Sequence, residues 1–391
     1  RSDLFDIYIQ PLQWGKTSWM AMMDSDRVWI DRTIEKTIAY AQQGGTFDIS
    51  LQVTIPNEWE PLAPINVGYT AGIETSKVAH QWIQKANEMD RIIVVSNHSK
   101  KTFEDSVYSA RRDDLPDQVF ELRTTTPIDS VNYPTKQFDN LPDLGIELDY
   151  DINFLAVAQF GPRKNLPNTI KWFVEEFRNE EVGLVLKSSL AKNCVMDREK
   201  MEHDLTNFLR SLGERTCKVY LLHGDMEDDE MHSLYTHPRI KALISLAHGE
   251  GFGLPIFEAA YSGLPVICTG WSGQLDFLVD EEKKEHFYNV AFDINPVQDA
   301  VVWEGVLIKE SMWAYPRETS AKEQMRLCFI DVVTEEEGSH AMKAPEYATQ
   351  VHERLSEENQ NAMFVKSLEE FVGSPEEEEW QDVLDQVVEY D

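Results

Sequence analysis

Short apolar runs and amphipathic segments alternate along the first part of the chain. Short apolar runs predict β-strands, and longer stretches with apolar residues every three or four positions predict helices. The predicted strands are 5–10, 47–53, 65–70 and 91–96, and the predicted helices are 27–42 and 75–88. Strands that alternate with helices indicate a parallel sheet covered on both faces.

A second alternation follows a stretch rich in Thr, Pro, Asp and Asn at 124–149, which predicts loop and linker. The second set comprises predicted strands at 154–160, 183–188, 218–223, 241–247 and 265–270, and predicted helices at 166–178, 198–212 and 255–262. We therefore expect an α/β fold with two Rossmann-like, doubly wound domains that face each other across a cleft, where ligands bind at the carboxyl ends of the strands.

The expected domain boundaries follow from these two sets of elements. The N-terminal domain is expected at 1–150 and the C-terminal domain at 151–372. The residues 373–391 are expected to form an acidic tail, which could return to the N-terminal domain.

Charge narrows the classes of ligand. The formal net charge is −33, with 69 acidic and 36 basic side chains. Such a surface argues against broad binding to nucleic acid or to anionic lipid, and solubility or a salty habitat is the favoured explanation of the charge. Because it repels phosphorylated ligands, any phosphate site must supply its own cations and backbone N–H groups.

No apolar run approaches the roughly 20 residues of a membrane span, no signal peptide opens the sequence, and the four cysteines lack metal spacing. We therefore expect a cytoplasmic protein.

The densest chemistry lies in HGEGFGLPIFEAAYSGLPVICTGWSGQLDFL, residues 248–278. The predicted strand 241–247 ends in a turn with three alternating glycines, and Pro255 fits the first turn of the helix that follows. Glycine lets the backbone approach a ligand closely, and a helix N-terminus offers unpaired N–H groups and partial positive charge. The turn therefore predicts an anion site. It is not the dinucleotide fingerprint, because its pattern is GxGxG rather than GxGxxG.

Two glutamates flank this turn, Glu250 within it and Glu258 on the helix. A carboxylate accepts hydrogen bonds from neighbouring sugar hydroxyls. Two carboxylates beside one anion site therefore suggest a diphosphate that links two sugars, which is a nucleotide sugar. Taken singly, each glutamate has a plainer explanation, since Glu258 favours the helix dipole and Glu250 could be a surface residue.

A basic pair follows the first strand of the second domain. Arg163 and Lys164 precede Asn165 and Pro167 at a predicted helix start. Two cations at a helix N-terminus suit an anion, and the alternative is a solvated surface pair.

At these residues the sequence resembles the retaining glycosyltransferases of family four, which have the GT-B fold. HGEGFGLPIFEAAYSGLPVI is similar to their E-x7-E motif, with Glu250 first and Glu258 second. AQFGPRKNL at 158–166 resembles their phosphate-binding strand and loop, and VYLLHGDMEDDEMHSLY at 219–235 the elements before the glutamate motif. The segment that begins NVGYTAGIETSK resembles part of their acceptor domain, so the likeness covers roughly 65–110 and 154–280.

The resemblance implies a role for each matching residue. Glu258 would hold the nucleotide ribose, and Glu250 would approach the hydroxyls of the transferred sugar. Arg163 and Lys164 would bind the diphosphate, although many relatives separate these two basic residues by several positions. The backbone N–H groups that would face the sugar or the diphosphate belong to Gly251, Phe252, Gly253 and Leu254.

We therefore expect a hexosyltransferase-type enzyme that moves a sugar from a nucleotide-sugar donor to an acceptor hydroxyl with retention of configuration. The C-terminal domain would hold the donor, and the N-terminal domain would present a glycan, lipid or small-molecule acceptor. No metal and no cofactor are expected, since the basic pair and helix N-termini can neutralise the leaving diphosphate. The alternatives are another GT-B-fold enzyme, such as a sugar-nucleotide epimerase or a phosphorylase, and a non-catalytic nucleotide-sugar-binding protein.

Other motifs are weaker. QWGKTS at 13–18 lacks the first glycine of a P-loop. DSD at 24–26 matches the metal triplet of the other glycosyltransferase fold, but its position before a helical run favours a helix cap. DMEDDE at 225–230 could bind a cation but better fits a charged helix start. His223 and His248 fall at strand ends near the predicted cleft, where His223 could line a base pocket or lie on the surface.

Overall fold

The computed structural model describes residues 4–12, 24–112 and 115–372. Its helices are α1 Ser25–Gln42, α2 His80–Ala86, α3 Asn97–Asp105, α4 Leu166–Glu176, α5 Val195–Ser211, α6 Asp228–Tyr235, α7 Leu254–Tyr261, α8 Leu275–Leu278, α9 Glu318–Thr334, α10 His340–Arg354 and α11 Glu357–Lys366. Its strands are β1 Ile49–Val53, β2 Ile65–Thr70, β3 Arg91–Val94, β4 Tyr108–Arg112, β5 Leu115–Leu122, β6 Ile128–Ser130, β7 Asn153–Val157, β8 Gly183–Lys187, β9 Lys218–Leu222, β10 Ile240–Ser245, β11 Val266–Thr269, β12 Tyr288–Val290, β13 Phe292–Pro296 and β14 Met312–Pro316.

The N-terminal half is built on a parallel sheet with the strand order β1-β2-β3-β6. One face carries a core of aromatic and aliphatic side chains from β3, α2 and α3, among them Trp82, Ile92 and Phe103, each at most 1% exposed. Strands β4 and β5 pair separately as an antiparallel hairpin. The sheet fits the prediction of parallel strands joined through helices.

The C-terminal half is built on a six-stranded parallel sheet with the order β12-β11-β10-β7-β8-β9. Both faces are covered by apolar side chains, as a parallel sheet requires. The chain runs outward from β7 through β9 and then returns to place β10 beside β7. The order of strands therefore reverses between β7 and β10, and such a reversal opens a crevice at the carboxyl ends of the strands.

The last described residues return to the N-terminal sheet. Phe364 and Phe371 pack against a buried cluster that includes Val67 and Ile93 of that sheet. Arg91 of β3 donates to Asp129, and it also pairs with Glu370. This return ties the two halves of the chain together. The domain boundaries at 150 and 372 stay predictions, and the acidic tail 373–391 lies outside the described residues.

Several expectations from the sequence pattern were wrong or incomplete. Residues 5–10 form no strand, although Phe5 packs against the first sheet. The predicted helix 75–88 begins only at His80, and the predicted linker 124–149 contains β6. DSD at 24–26 caps a helix as predicted, since the Asp24 carboxylate accepts the Arg27 N–H at 2.8 Å.

Candidate functional site

The loops that follow β7 and β10 meet at the reversal of strand order. The loop after β7 carries the 3₁₀-turn Pro162–Lys164, and Asn165 after it adopts left-handed backbone angles with φ of 53°. The Asn165 side-chain amide donates to the Leu246 carbonyl at 3.1 Å, and the His248 N–H donates to the Arg163 carbonyl at 2.8 Å. These bonds hold the basic pair against the glycine turn.

Both cations of the basic pair reach the same carboxylate. Arg163 Nη1 lies 2.8 Å from Glu250 Oε2, and Lys164 Nζ lies 2.5 Å from Glu250 Oε1. The Glu250 side chain is only 8% exposed. Burial acts to lower the pKa of Arg163, but the carboxylates of Glu250 and Glu74 outweigh it, so the pKa lies above its ordinary value. The two basic residues are adjacent in the sequence, and their side chains nevertheless reach the same carboxylate.

The glycine turn leads into α7 and leaves backbone donors free. Gly253 is the N-cap of α7 and has φ of 95°, a conformation that favours glycine. Within the described residues, the N–H groups of Gly251, Phe252, Gly253 and Leu254 donate to no protein acceptor. Free N–H groups at a helix N-terminus form an anion site, so the turn and the basic pair can face the same anion.

Two of the glycines also leave room for close contact with backbone from the N-terminal half of the chain. A β-carbon on Gly249 would lie 2.3 Å from the Glu74 carbonyl oxygen, and one on Gly251 would lie 2.6 Å from the Ala71 carbonyl oxygen. The sequence suggested that these glycines make room for a ligand. In the structure they make room for a backbone segment after β2, which sits directly on the turn.

A third loop, which follows β11, forms hydrogen bonds with the glycine turn. The Glu250 N–H donates to Ser272 Oγ at 2.9 Å, and the Gly273 N–H donates to the Glu250 carbonyl at 2.9 Å. Ser272 has φ of 85°, a strained value for a residue with a β-carbon. The backbone of Glu250 is therefore fixed before any ligand arrives. No pattern in the sequence indicated this contact between the two loops.

Glu258 has different partners from Glu250. Its carboxylate accepts a hydrogen bond from the Tyr235 hydroxyl at 2.8 Å, and it lies in a small pocket with Lys136, Asp228 and His232. Burial raises the pKa of Glu258 above its ordinary value, although the Tyr235 hydrogen bond acts to lower it. The two glutamates therefore occupy separate environments, Glu250 in the turn before α7 and Glu258 on α7 itself. Tyr235 had no signal in the sequence beyond its apolar helix face.

The remaining candidates have structural contacts. His248 is buried, with its Nδ1 3.0 Å from the Ala314 carbonyl, and His223 Nε2 lies 2.8 Å from Asp197. Residues 225–230 lead into α6, where Glu227 and Glu230 form a capping box. Among the described residues no group of three or more His, Cys, Asp or Glu side chains is placed to hold a metal ion. QWGKTS at 13–18 lies outside the described residues.

Comparison with solved structures identifies the fold. A UDP-forming trehalose-phosphate synthase from Burkholderia xenovorans aligns with a TM-score of 0.56 and 9% identity, covering 90% of this chain and 81% of that one. A trehalose-6-phosphate structure from E. coli bound with UDP-2-fluoro glucose aligns with a TM-score of 0.52 and 10% identity, covering 92% and 78%. The fold is GT-B, so the fold expected from the sequence is confirmed.

Comparison of sequences places a glycosyltransferase signature in the C-terminal half. Residues 147–292 match the family model "Glycosyl transferases group 1". A serotype-specific mannosyltransferase, WbdA, from Escherichia coli is 32% identical over 116 residues, which cover 29% of this chain and 13% of that protein. The chain thus spans about an eighth of the length of the curated relatives that it matches. In the described part of the chain, no helix combines the length and the apolarity needed to cross a membrane.

Proposed function

We propose that the protein is a retaining glycosyltransferase that moves a hexosyl group from a nucleotide-sugar donor to an acceptor hydroxyl without a metal ion. The observation that carries this proposal is the convergence of Arg163 and Lys164 on Glu250, beside free N–H groups at the α7 N-terminus. This arrangement can hold a doubly charged leaving group next to a buried carboxylate.

The leaving diphosphate would take the place of Glu250 as the partner of the basic pair. Charge develops on the diphosphate oxygen as its bond to the sugar breaks, and fixed cations and N–H dipoles stabilise that charge most in a site that excludes water. Two cations and the α7 N-terminus supply the positive charge that a divalent metal would otherwise provide. Metal independence is therefore part of the proposal.

The two glutamates would divide the work. Glu258 would accept hydrogen bonds from the ribose hydroxyls, a role that needs an ionised carboxylate in a polar pocket. Glu250 would be freed from the basic pair and would meet the hydroxyls of the transferred sugar. Their separate contacts in the structure support separate roles, since Tyr235 holds one and the basic pair the other.

The proposal extends to the sugar and to the compartment. The matched segment of the mannosyltransferase relatives favours a hexose, with mannose as the first candidate. Retention of configuration rests on the resemblance to family four. A cytoplasmic location rests on the reduced cysteines, none of which is paired among the described residues.

Product analysis tests the proposal. Purified protein is incubated in EDTA with labelled nucleotide-mannose and nucleotide-glucose donors and a panel of glycan, lipid and small-molecule acceptors. We expect a glycosylated acceptor and free nucleoside diphosphate, with the anomeric configuration of the donor kept in the product by NMR. A 2-epimer of the donor would indicate an epimerase, and sugar 1-phosphate formed from a glycan in a parallel assay with inorganic phosphate would indicate a phosphorylase. Donor binding without turnover would indicate a binding protein.

A further inference from the structure

The N-terminal half contributes a carboxylate to the candidate site. Glu74 lies in the segment between β2 and α2, and its Oε1 is 3.2 Å from Arg163 Nη2. The two side chains are 31% and 27% exposed, so the pair is partly shielded from water. Arg163 is thus shared between one carboxylate from each half of the chain, Glu74 and Glu250.

The backbone around Glu74 is docked firmly. The Glu74 carbonyl oxygen sits over Gly249 and the Ala71 carbonyl oxygen over Gly251, at distances that leave no room for a β-carbon. Ser96 of the N-terminal half donates from its Oγ to the Gly251 carbonyl at 2.5 Å. The Glu74 side chain is therefore aimed at Arg163 by a fixed segment rather than by a free surface arm.

The local charges balance when the site holds no anion. Arg163 and Lys164 carry two positive charges, and Glu74 and Glu250 carry two negative ones. An incoming diphosphate must compete with both carboxylates for the basic pair. Glu250 belongs to the same rigid turn, whereas Glu74 comes from the other half of the chain.

We propose that Glu74 is a positioning residue that competes with the donor diphosphate for Arg163, and so links donor occupancy to the contact between the two halves. This inference rests on the proposed function, because it takes the diphosphate to bind at Arg163. Glu74 competes for Arg163 and so lowers the affinity for the anion. When the diphosphate takes Arg163, Glu74 loses this partner and the ion pair between the two halves is broken.

The test is calorimetric titration of nucleoside diphosphates into the full chain and its Glu74→Gln and Glu74→Ala variants. We expect both variants to bind the preferred diphosphate about two- to tenfold more tightly, as removal of one partly exposed competing ion pair allows. The gain should shrink in high salt, because screening weakens the competing pair in the wild type. The donor KM should fall in parallel without a rise in kcat.

Glu88→Gln serves as the matched control. Glu88 is exposed, pairs with Lys85 of α2, and precedes the amino end of β3, at the opposite edge of the sheet. The Glu88→Gln substitution removes the same charge from the same half of the chain and should leave the affinity for the diphosphate unchanged. Use of two variants guards against one that fails to fold, which circular dichroism would reveal.

The outcomes separate this inference from the proposed function. If the wild type binds a diphosphate and the Glu74 variants bind equally or more weakly, the competition is refuted and the proposed function stands. If Glu88→Gln tightens binding as much as Glu74→Gln, the effect is one of overall charge and the inference is wrong. If neither wild type nor variants bind any nucleoside diphosphate, both the inference and the proposed function fall.

Discussion

The Tyr235 hydroxyl lies 2.8 Å from the Glu258 carboxylate and donates a hydrogen bond to it. Tyr235 ends α6 and Glu258 lies on α7, so this bond joins the two helices behind the glycine turn. Burial raises the pKa of Glu258, and the hydrogen bond opposes that shift only in part. A carboxylate that is hard to ionise sits where the proposed function needs a ribose acceptor.

This relationship predicts a pH dependence of donor binding. In the proposed function the ionised form of Glu258 binds the ribose, so affinity for a nucleoside diphosphate should fall as the pH drops through a midpoint above the ordinary pKa of a glutamate. Tyr235→Phe removes the bond that favours ionisation and should move this midpoint upward. Calorimetric titrations between pH 4.5 and 8 measure it, with Glu258→Gln as the control that lacks this titration. A midpoint that Tyr235→Phe leaves in place would show that Glu258 is not the titrating group.

The same shift predicts an effect on stability. Because the pKa of Glu258 is raised by folding, its contribution to stability is fully present below the pKa of the unfolded chain and is lost as pH rises through the folded value. Glu258→Gln should therefore raise the melting temperature at pH 7 by about 1–3 °C. The advantage should vanish in acid, where the wild-type carboxyl is protonated. Thermal denaturation at the two pH values measures both, and a loss of stability at pH 7 would contradict the expected burial cost.

The basic pair provides the next prediction. Lys164→Ala should cut turnover by about ten- to a thousandfold, as loss of one charge stabiliser of a transition state does. Both side chains converge on Glu250, so we expect Arg163→Ala to reduce turnover by a factor in the same range. Steady-state kinetics with a nucleotide-sugar donor measure both. Normal activity in the double variant would place the phosphate site elsewhere.

The glycine turn can be tested by crowding it. Gly249→Ala places a β-carbon against the Glu74 carbonyl, a backbone atom that cannot move away cheaply. We expect a loss of about 1–3 kcal/mol in the free energy of unfolding, as overpacking causes. Gly161→Ala is the matched control, because its β-carbon would meet no atom within 4 Å and should change stability by less than about 0.5 kcal/mol. Denaturant titrations compare them, and equal stability of the two variants would show that the segment at Glu74 does not dock on the turn.

Much of the second sheet followed from its apolar runs. The predicted strand 183–188 and helix 255–262 match β8 and α7 to within a residue or two, because buried parallel strands are nearly all apolar and a Gly-Pro boundary marks a helix start. The predicted strand 5–10 was wrong, because a short apolar run forms a strand only with a partner and no strand of the described residues pairs with it.

The contacts between the two halves of the chain could not be predicted from the sequence. Residues 75–79 were predicted to begin a helix, but the backbone there bonds to the other half of the chain, as from the Ser76 N–H to the Met312 carbonyl. Glu74 carried no signal of its own, since a lone glutamate in an acidic chain stands out in no pattern. Glu250 and Glu258 were found because glycine, proline and carboxylate fall together in one turn, although their roles stay predictions.

The two glutamates should separate in kinetics. In the proposed function Glu258 would contact a part of the donor that does not change during reaction, so Glu258→Gln should raise the donor KM more than it lowers kcat. Glu250 would lie beside the transferred sugar, so Glu250→Gln should lower kcat while free diphosphate still binds. The glutamine keeps the size of each side chain, so packing should survive in both. If Glu250→Gln instead raised the donor KM and Glu258→Gln lowered kcat, the two roles would be exchanged. If neither variant changed binding or rate, both glutamates would have only structural roles.

Calorimetric titration of a panel of nucleoside diphosphates into the wild-type chain in EDTA tests most directly whether Arg163, Lys164 and the α7 N-terminus form a metal-independent diphosphate site. We expect saturable binding of at least one diphosphate with one site per chain, and its loss in the Arg163→Ala, Lys164→Ala double variant. Binding that requires a divalent ion, or binding that the double variant keeps at full strength, would contradict this assignment.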